Sequence, residues 1–211
     1  MVILPRRHFG IGGCRFPADP ELTAREQAVF WSSSVAPAVV PLVPAPAEIV
    51  DPARLVSLSD LSNAVIREAS DGWHILLRRQ NVDYRVWLRQ RPRPGARYAA
   101  QLPLDELFEL RAHAARRLWR ALSGRPPGPD FRELPAQRRG RLIHSLRALD
   151  ARQDGTSYRT ITAALFGADR VATRGWKTHD LRNRTIRLVE SGQALMRGGY
   201  LDLLRYPLRR S

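Results

Sequence analysis

The sequence predicts an α+β protein: a small β-rich N-terminal half with one packed helix, followed by an all-helical domain of helix-turn-helix type. Three observations carry this. Residues 82–88 alternate apolar and polar with period two, as a half-buried strand requires, and 73–78 form a second apolar run beside them. Residues 102–124 and 138–152 repeat apolar side chains at helical spacing. Residues 156–200 then read as two more helices joined by a connector, the second with one apolar face and one face of Arg and Asn.

Composition bounds the possibilities. The chain has 211 residues, of which 44% are hydrophobic, enough for one large or two small packed domains. The formal charge is +15, and 34 of the 35 basic residues are Arg, Lys177 being the only Lys. The charge is uneven: residues 1–131 carry +5 and the shorter 132–211 carry +10. A surplus concentrated in one half points to a polyanion, nucleic acid before membrane. No run of about 18 apolar residues exists to span a bilayer, and the stretch after Arg6 and Arg7 is a poor signal peptide. A lone Cys14 allows neither an internal disulfide nor a multi-Cys zinc site. A cytoplasmic protein is expected.

Taken in order, residues 1–34 read as a tail or linker. Its GIGGCR segment is neither a dinucleotide fingerprint nor a phosphate loop, because no helix-opening pattern or Gly-Lys pair follows. Phe30 and Trp31 end it and are expected to anchor it. A β-hairpin-plus-helix domain is expected over 35–124. The prolines at 37, 41, 44 and 46 forbid a helix and leave an extended segment or edge strand. Trp73 to Arg78 and Val82 to Leu88 are strands, joined as a hairpin through RQN. LPLDELFELRAHAARRLWRALSG is a long amphipathic helix with Leu104, Leu107, Phe108, Leu118 and Leu122 as its buried stripe. Asp105 and Glu106 suit its positive first turn, and Arg111, Arg116, Arg117 and Arg120 read as a solvated face. RPPGPD, residues 125–130, is the linker.

The helical domain is expected over 131–211. Its first helix, Arg138 to Arg152, turns Leu142, Ile143, Leu146 and Leu149 inward. Ser157 caps the next, with Ile161, Ala164 and Leu165 on one face and Gly167 as the stop. After the connector ADRVATRGWK, in which Trp176 reads as a core plug, Thr178 caps the last long helix and Asp180 sits in its first turn. Leu181, Thr185, Leu188, Val189, Gly192, Leu195 and Met196 form its apolar side. Asn183, Arg187 and Glu190 point the other way, with Arg182 and Arg184 on the flanks. Arg grips a guanine edge bidentately and Asn an adenine edge, so this is how a recognition helix is built. The residues expected at DNA are Lys177, Thr178, His179, Arg182, Asn183, Arg184 and Arg187. YLDLLRYPLRR closes the chain as a short helix and basic tail.

A catalytic alternative exists. His179 and Arg182 with Tyr200 downstream loosely match the His, Arg and Tyr set of tyrosine recombinases, in which the Tyr attacks a clamped phosphate. The pattern is short and arises easily in an Arg-rich chain, so phosphate contact by His179 and Arg182 is preferred. His8, His74, His113 and His144 have no metal spacing. No enzyme, metal or cofactor is expected.

The segments Leu-Arg-Ala-Leu-Asp, Ser-Tyr-Arg, Ala-Leu-Phe-Gly, Trp-Lys, Asp-Leu-Arg, Ile-Arg-Leu-Val and Leu-Met-x-Gly-Gly-Tyr resemble a proteobacterial domain family of helix-turn-helix transcription regulators. Phe30-Trp31, the hairpin and LPLDELFELR are similar to that family as well, and GCRFPADPEL resembles the junction that follows its short regulator-like N-terminal domain. The resemblance implies regulators, several encoded on integrative and conjugative elements, that activate an excision-factor promoter, and related short antagonists that oppose them by protein contact. The expected function is therefore sequence-specific DNA binding in transcriptional control of excision or transfer genes, with a protein-binding antagonist as the rival reading. The expected partners are double-stranded DNA and another regulator or a second copy, with no membrane.

Overall fold

The computed structural model describes residues 16–19, 21–22, 26–46, 58, 64–93, 95–130, 133–171, 175–176 and 179–207. By contact, the chain divides into one unit of residues 1–130 with 201–211 and another of residues 131–200. The architecture is α+β, a five-stranded sheet followed by helices.

The sheet holds β1 (Val39–Pro44), β2 (Ala64–Ala69), β3 (Gly72–Arg79), β4 (Val82–Leu88) and β5 (Tyr98–Ala100), in the order β2-β3-β4-β1-β5. The β3–β4 hairpin pairs Arg79 with Val82, so Gln80 and Asn81 alone make the turn, at φ 50° and 59°. Positive φ at both turn residues matches the right-handed twist of the flanking strands, and Asn tolerates it well. Tyr84, Val86 and Leu88 are buried as the alternation requires. Two strands were not foreseen. β2 extends the sheet beside β3, and β5 pairs antiparallel with β1.

The proline-rich strand β1 is interior rather than at an edge: it runs parallel to β4 and antiparallel to β5. Its prolines fall where a neighbour ends. Pro41 faces the end of β5, where its carbonyl accepts from the Gln101 N–H at 2.9 Å and only the reciprocal bond is missing. β4 stops at Leu88, opposite Leu42, so Pro44 on that side has no ladder bond to lose.

α1 (Phe108–Leu122) lays Ala114, Leu118 and Ala121 on the sheet core of Val40, Leu42, Ile75, Leu77, Val86 and Leu88. The helix is shorter than the sequence suggests. Asp105 precedes it and accepts from the Leu107 N–H at 3.0 Å, while Leu104 is 89% exposed and contributes nothing to the stripe. The solvated reading of Arg111 and Arg117 is also corrected, since both are buried. Arg111 is held by Asp105. Arg117 donates to the Gly128 carbonyl at 2.7 Å, and Arg120 to that of Pro126 at 2.6 Å, which pins the 125–130 linker to the helix. On the opposite sheet face, Phe30 (2% exposed) and Phe16 cover the buried His74 edge-on.

The second unit contains α2 (Ala136–Gln153), α3 (Tyr158–Phe166) and α4 (Asp180–Ala194). Its core is Ala148, Leu149, Ile161, Leu188 and Val189, with Leu165 and Phe166 packed on it. α2 is rotated from the expected phase. Ser145, Ala148 and Leu149 are its buried residues, whereas Ile143 and Leu146 are 42% and 48% exposed. The cause is Gly192 of α4. A Cβ there would lie 2.7 Å from the Ser145 carbonyl oxygen and 2.9 Å from the Leu149 Cβ, so the backbones approach too closely for large side chains on α2. Ala164 of α3 is likewise exposed rather than inward.

Candidate nucleic-acid interface

Each end of the interface is fixed by a cap. Ser157 accepts from the Thr160 N–H at 3.2 Å and opens α3, and Gly167 at φ 99° closes it. α4 is capped by His179 rather than Thr178: the His179 Nδ1 accepts from the Leu181 N–H at 3.2 Å. Ring acceptors cap less often than hydroxyls, and this one is steadied by Trp176, which stacks on it at 6.1 Å and 25°. Trp176 is thus half-buried against the cap and not a core plug. Lys177 and Thr178 lie outside the described residues.

α4 buries Leu181, Thr185, Leu188, Val189 and Gly192. Thr185 Oγ1 and Thr162 Oγ1 of α3 meet at 2.7 Å, each also within reach of the carbonyl one turn back in its own helix. One hydroxyl donates to the other and the second donates to the carbonyl in its own helix, so both protons are used without water and the pair ties α3 to α4. Met196, expected on the apolar side, is 57% exposed because the helix widens over Leu195–Gly199 and breaks at Gly198, φ 119°.

The opposite face of α4 stands free of the core. Asn183, Arg184, Arg187 and Glu190 are exposed and Arg182 is half-buried. Arg184 lies with its guanidinium 4.7 Å over the Phe166 ring, which in turn meets His144 edge-on at 6.1 Å. Arg184, Arg187 and Leu188 form one wall of a cleft of about 540 Å³, and Gln137, Arg141 and His144 of α2 form the other. The sequence reading missed these three α2 residues. Their spacing of four and three places them on one helix face, and the QRRGR run at 137–141 marked the place. Among the described residues, none of Arg141, Arg184 and Arg187 forms an ion pair with a carboxylate.

The structure does not bring the recombinase-like residues together. Arg182 lies in the first turn of α4 and Tyr200 beyond its far end, past the break at Gly198, and the His179 Nδ1 is engaged as a cap. Among the described residues no group of three or more His, Cys, Asp or Glu converges as a metal site, and no helix is long and apolar enough to cross a membrane.

Residues 101–205 match a family model described as "T6SS, Transcription factor, DNA binding domain". No curated protein matches the chain significantly. The matched span takes in every helix described above, from α1 to the end of the α4 run. This match to a transcription-factor DNA-binding domain supports a DNA-binding transcriptional regulator.

Proposed function

We propose that the chain is a sequence-specific regulator that lays α4 in the major groove of duplex DNA, with α3 and α4 acting as a helix-turn-helix. The observation that carries this is the face of α4 opposite its buried stripe, where Asn183 and Arg187 are exposed one turn apart. A recognition helix presents such a face to base edges. Arg182 and Arg184 lie on the flanks, where phosphates run, and Lys177, Thr178 and His179 belong to the same contact set at the helix start. The protein is proposed to act in the cytoplasm as an activator of excision or transfer genes on an integrative and conjugative element.

Footprinting on DNA from the protein's own genomic neighbourhood is the test. A protected site that reappears upstream of excision or transfer genes supports the reading. Protection of no site, together with capture of a related regulator, would favour the antagonist instead. Catalysis is tested separately. Tyr200→Phe should leave DNA binding and reporter output unchanged, and no covalent adduct should form on a nicked suicide substrate. An adduct lost in Tyr200→Phe would restore the recombinase reading.

A further inference from the structure

The α2 wall of the cleft has no part in a recognition helix, yet it is basic. Arg141 and His144 face Arg184 and Arg187 across the cleft, with Gln137 beside them and no carboxylate in the lining. Three guanidinium groups around one concavity repel one another unless an anion sits between them. Arg184 is already held over Phe166 at 4.7 Å, so little side-chain freedom is lost when it engages a ligand. Guanidinium forks match the oxygens of a phosphate group, and each such charge-assisted bond is stronger than a neutral one. The volume, about 540 Å³, is that of a small-ligand site, ample for a phosphate and the sugar that carries it. The floor at Leu188 is apolar and the rim at Gly140 is open, because a Cβ there would meet nothing within 4 Å.

We propose that the α2–α4 cleft is a phosphate-binding site in which Arg141 joins Arg184, with Arg187 at the cleft's edge left to reach a base. The inference rests on the reading of α4 as the DNA-facing helix and extends the interface to α2. The phosphate comes either from the DNA backbone beside the groove or from a free phosphorylated molecule. A free ligand held by Arg141 and Arg184 would sit beside Arg187 and so compete with DNA.

The full 211-residue chain is titrated with operator and random duplexes at several salt concentrations, and separately with inorganic pyrophosphate by calorimetry. Four variants are compared with wild type: Arg141→Ala, Gly140→Glu, Arg187→Ala, and Arg147→Ala as a control that removes the same charge from α2 outside the cleft. Gly140→Glu places a carboxylate at the rim without steric conflict and improves the helix. If the backbone fills the cleft, Arg141→Ala weakens both duplexes about tenfold and lowers the salt slope by about 0.9, and Gly140→Glu weakens them further. If a free phosphate fills it, wild type binds pyrophosphate, both cleft variants abolish that binding, and DNA affinity without pyrophosphate is unchanged. The proposal is overturned if Arg141→Ala and Gly140→Glu behave as Arg147→Ala does in both titrations. Should Arg187→Ala also be silent on DNA, the α4 reading fails with it. A loss in Arg187→Ala alone confines the failure to the cleft.

Discussion

At the scale of single residues, charge and burial decide roles that residue type leaves open. Arg111 and Arg117 look like a solvated helix face, yet both are buried because Asp105 and the 125–130 linker reach them. Such partners lie outside the helical repeat, so periodicity alone does not show them. The hydrogen bond from Arg111 holds the Asp105 carboxyl below the usual carboxylate range, with the Leu107 N–H assisting. A carboxylate whose pKa is depressed by folding adds stability above its unfolded value, near 3.9, and that stability disappears as pH falls through the folded value. Wild type should therefore lose stability more steeply than Asp105→Asn below about pH 4, as read from denaturant midpoints. Parallel curves would show the pair to be idle. The two exposed arginines of α4 should likewise separate. Arg184→Ala should weaken operator and random DNA about equally, because a phosphate contact carries no sequence information.

At the scale of elements, helices and the central hairpin were legible, and their phases less so. The β3–β4 alternation, the Ser157 cap, the Gly167 stop and the α4 stripe were all readable because each is a local pattern. The inward face of α2 was misread because large apolar residues attract the assignment, whereas a close helix crossing at Gly192 selects Ser145 and Ala148. β2 and β5 were missed because strands at or near a sheet edge lack a two-sided hydrophobic signal. The crossing makes a sharp prediction. Gly192→Ala should cost about 1–3 kcal/mol from overpacking, seen as a drop in melting temperature. Leu188→Ala should cost about 2–5 kcal/mol. Leu146→Ala, on a side chain 48% exposed, should stay within about 1 kcal/mol. A large loss at Leu146 with none at Gly192 would restore the phase expected from the sequence.

At the scale of the whole molecule, the asymmetry of charge is the signal that composition carried best. Residues 132–211 hold +10 of the +15, and the matched DNA-binding family spans 101–205. The match begins ahead of α1 and runs through the 125–130 linker, whose carbonyls bond to Arg117 and Arg120. The α2 wall of the cleft shows in the sequence only as a basic run at 137–141, because the wall itself exists only once α2 lies beside α4. The central claim is that α4 reads bases. It is tested most directly by titrating wild type and Arg187→Ala on the footprinted operator and on a random duplex. The account predicts a loss of about 1–3 kcal/mol on the operator and little on the random duplex, the worth of one bidentate base contact. Equal losses on both duplexes, or none on either, would contradict it.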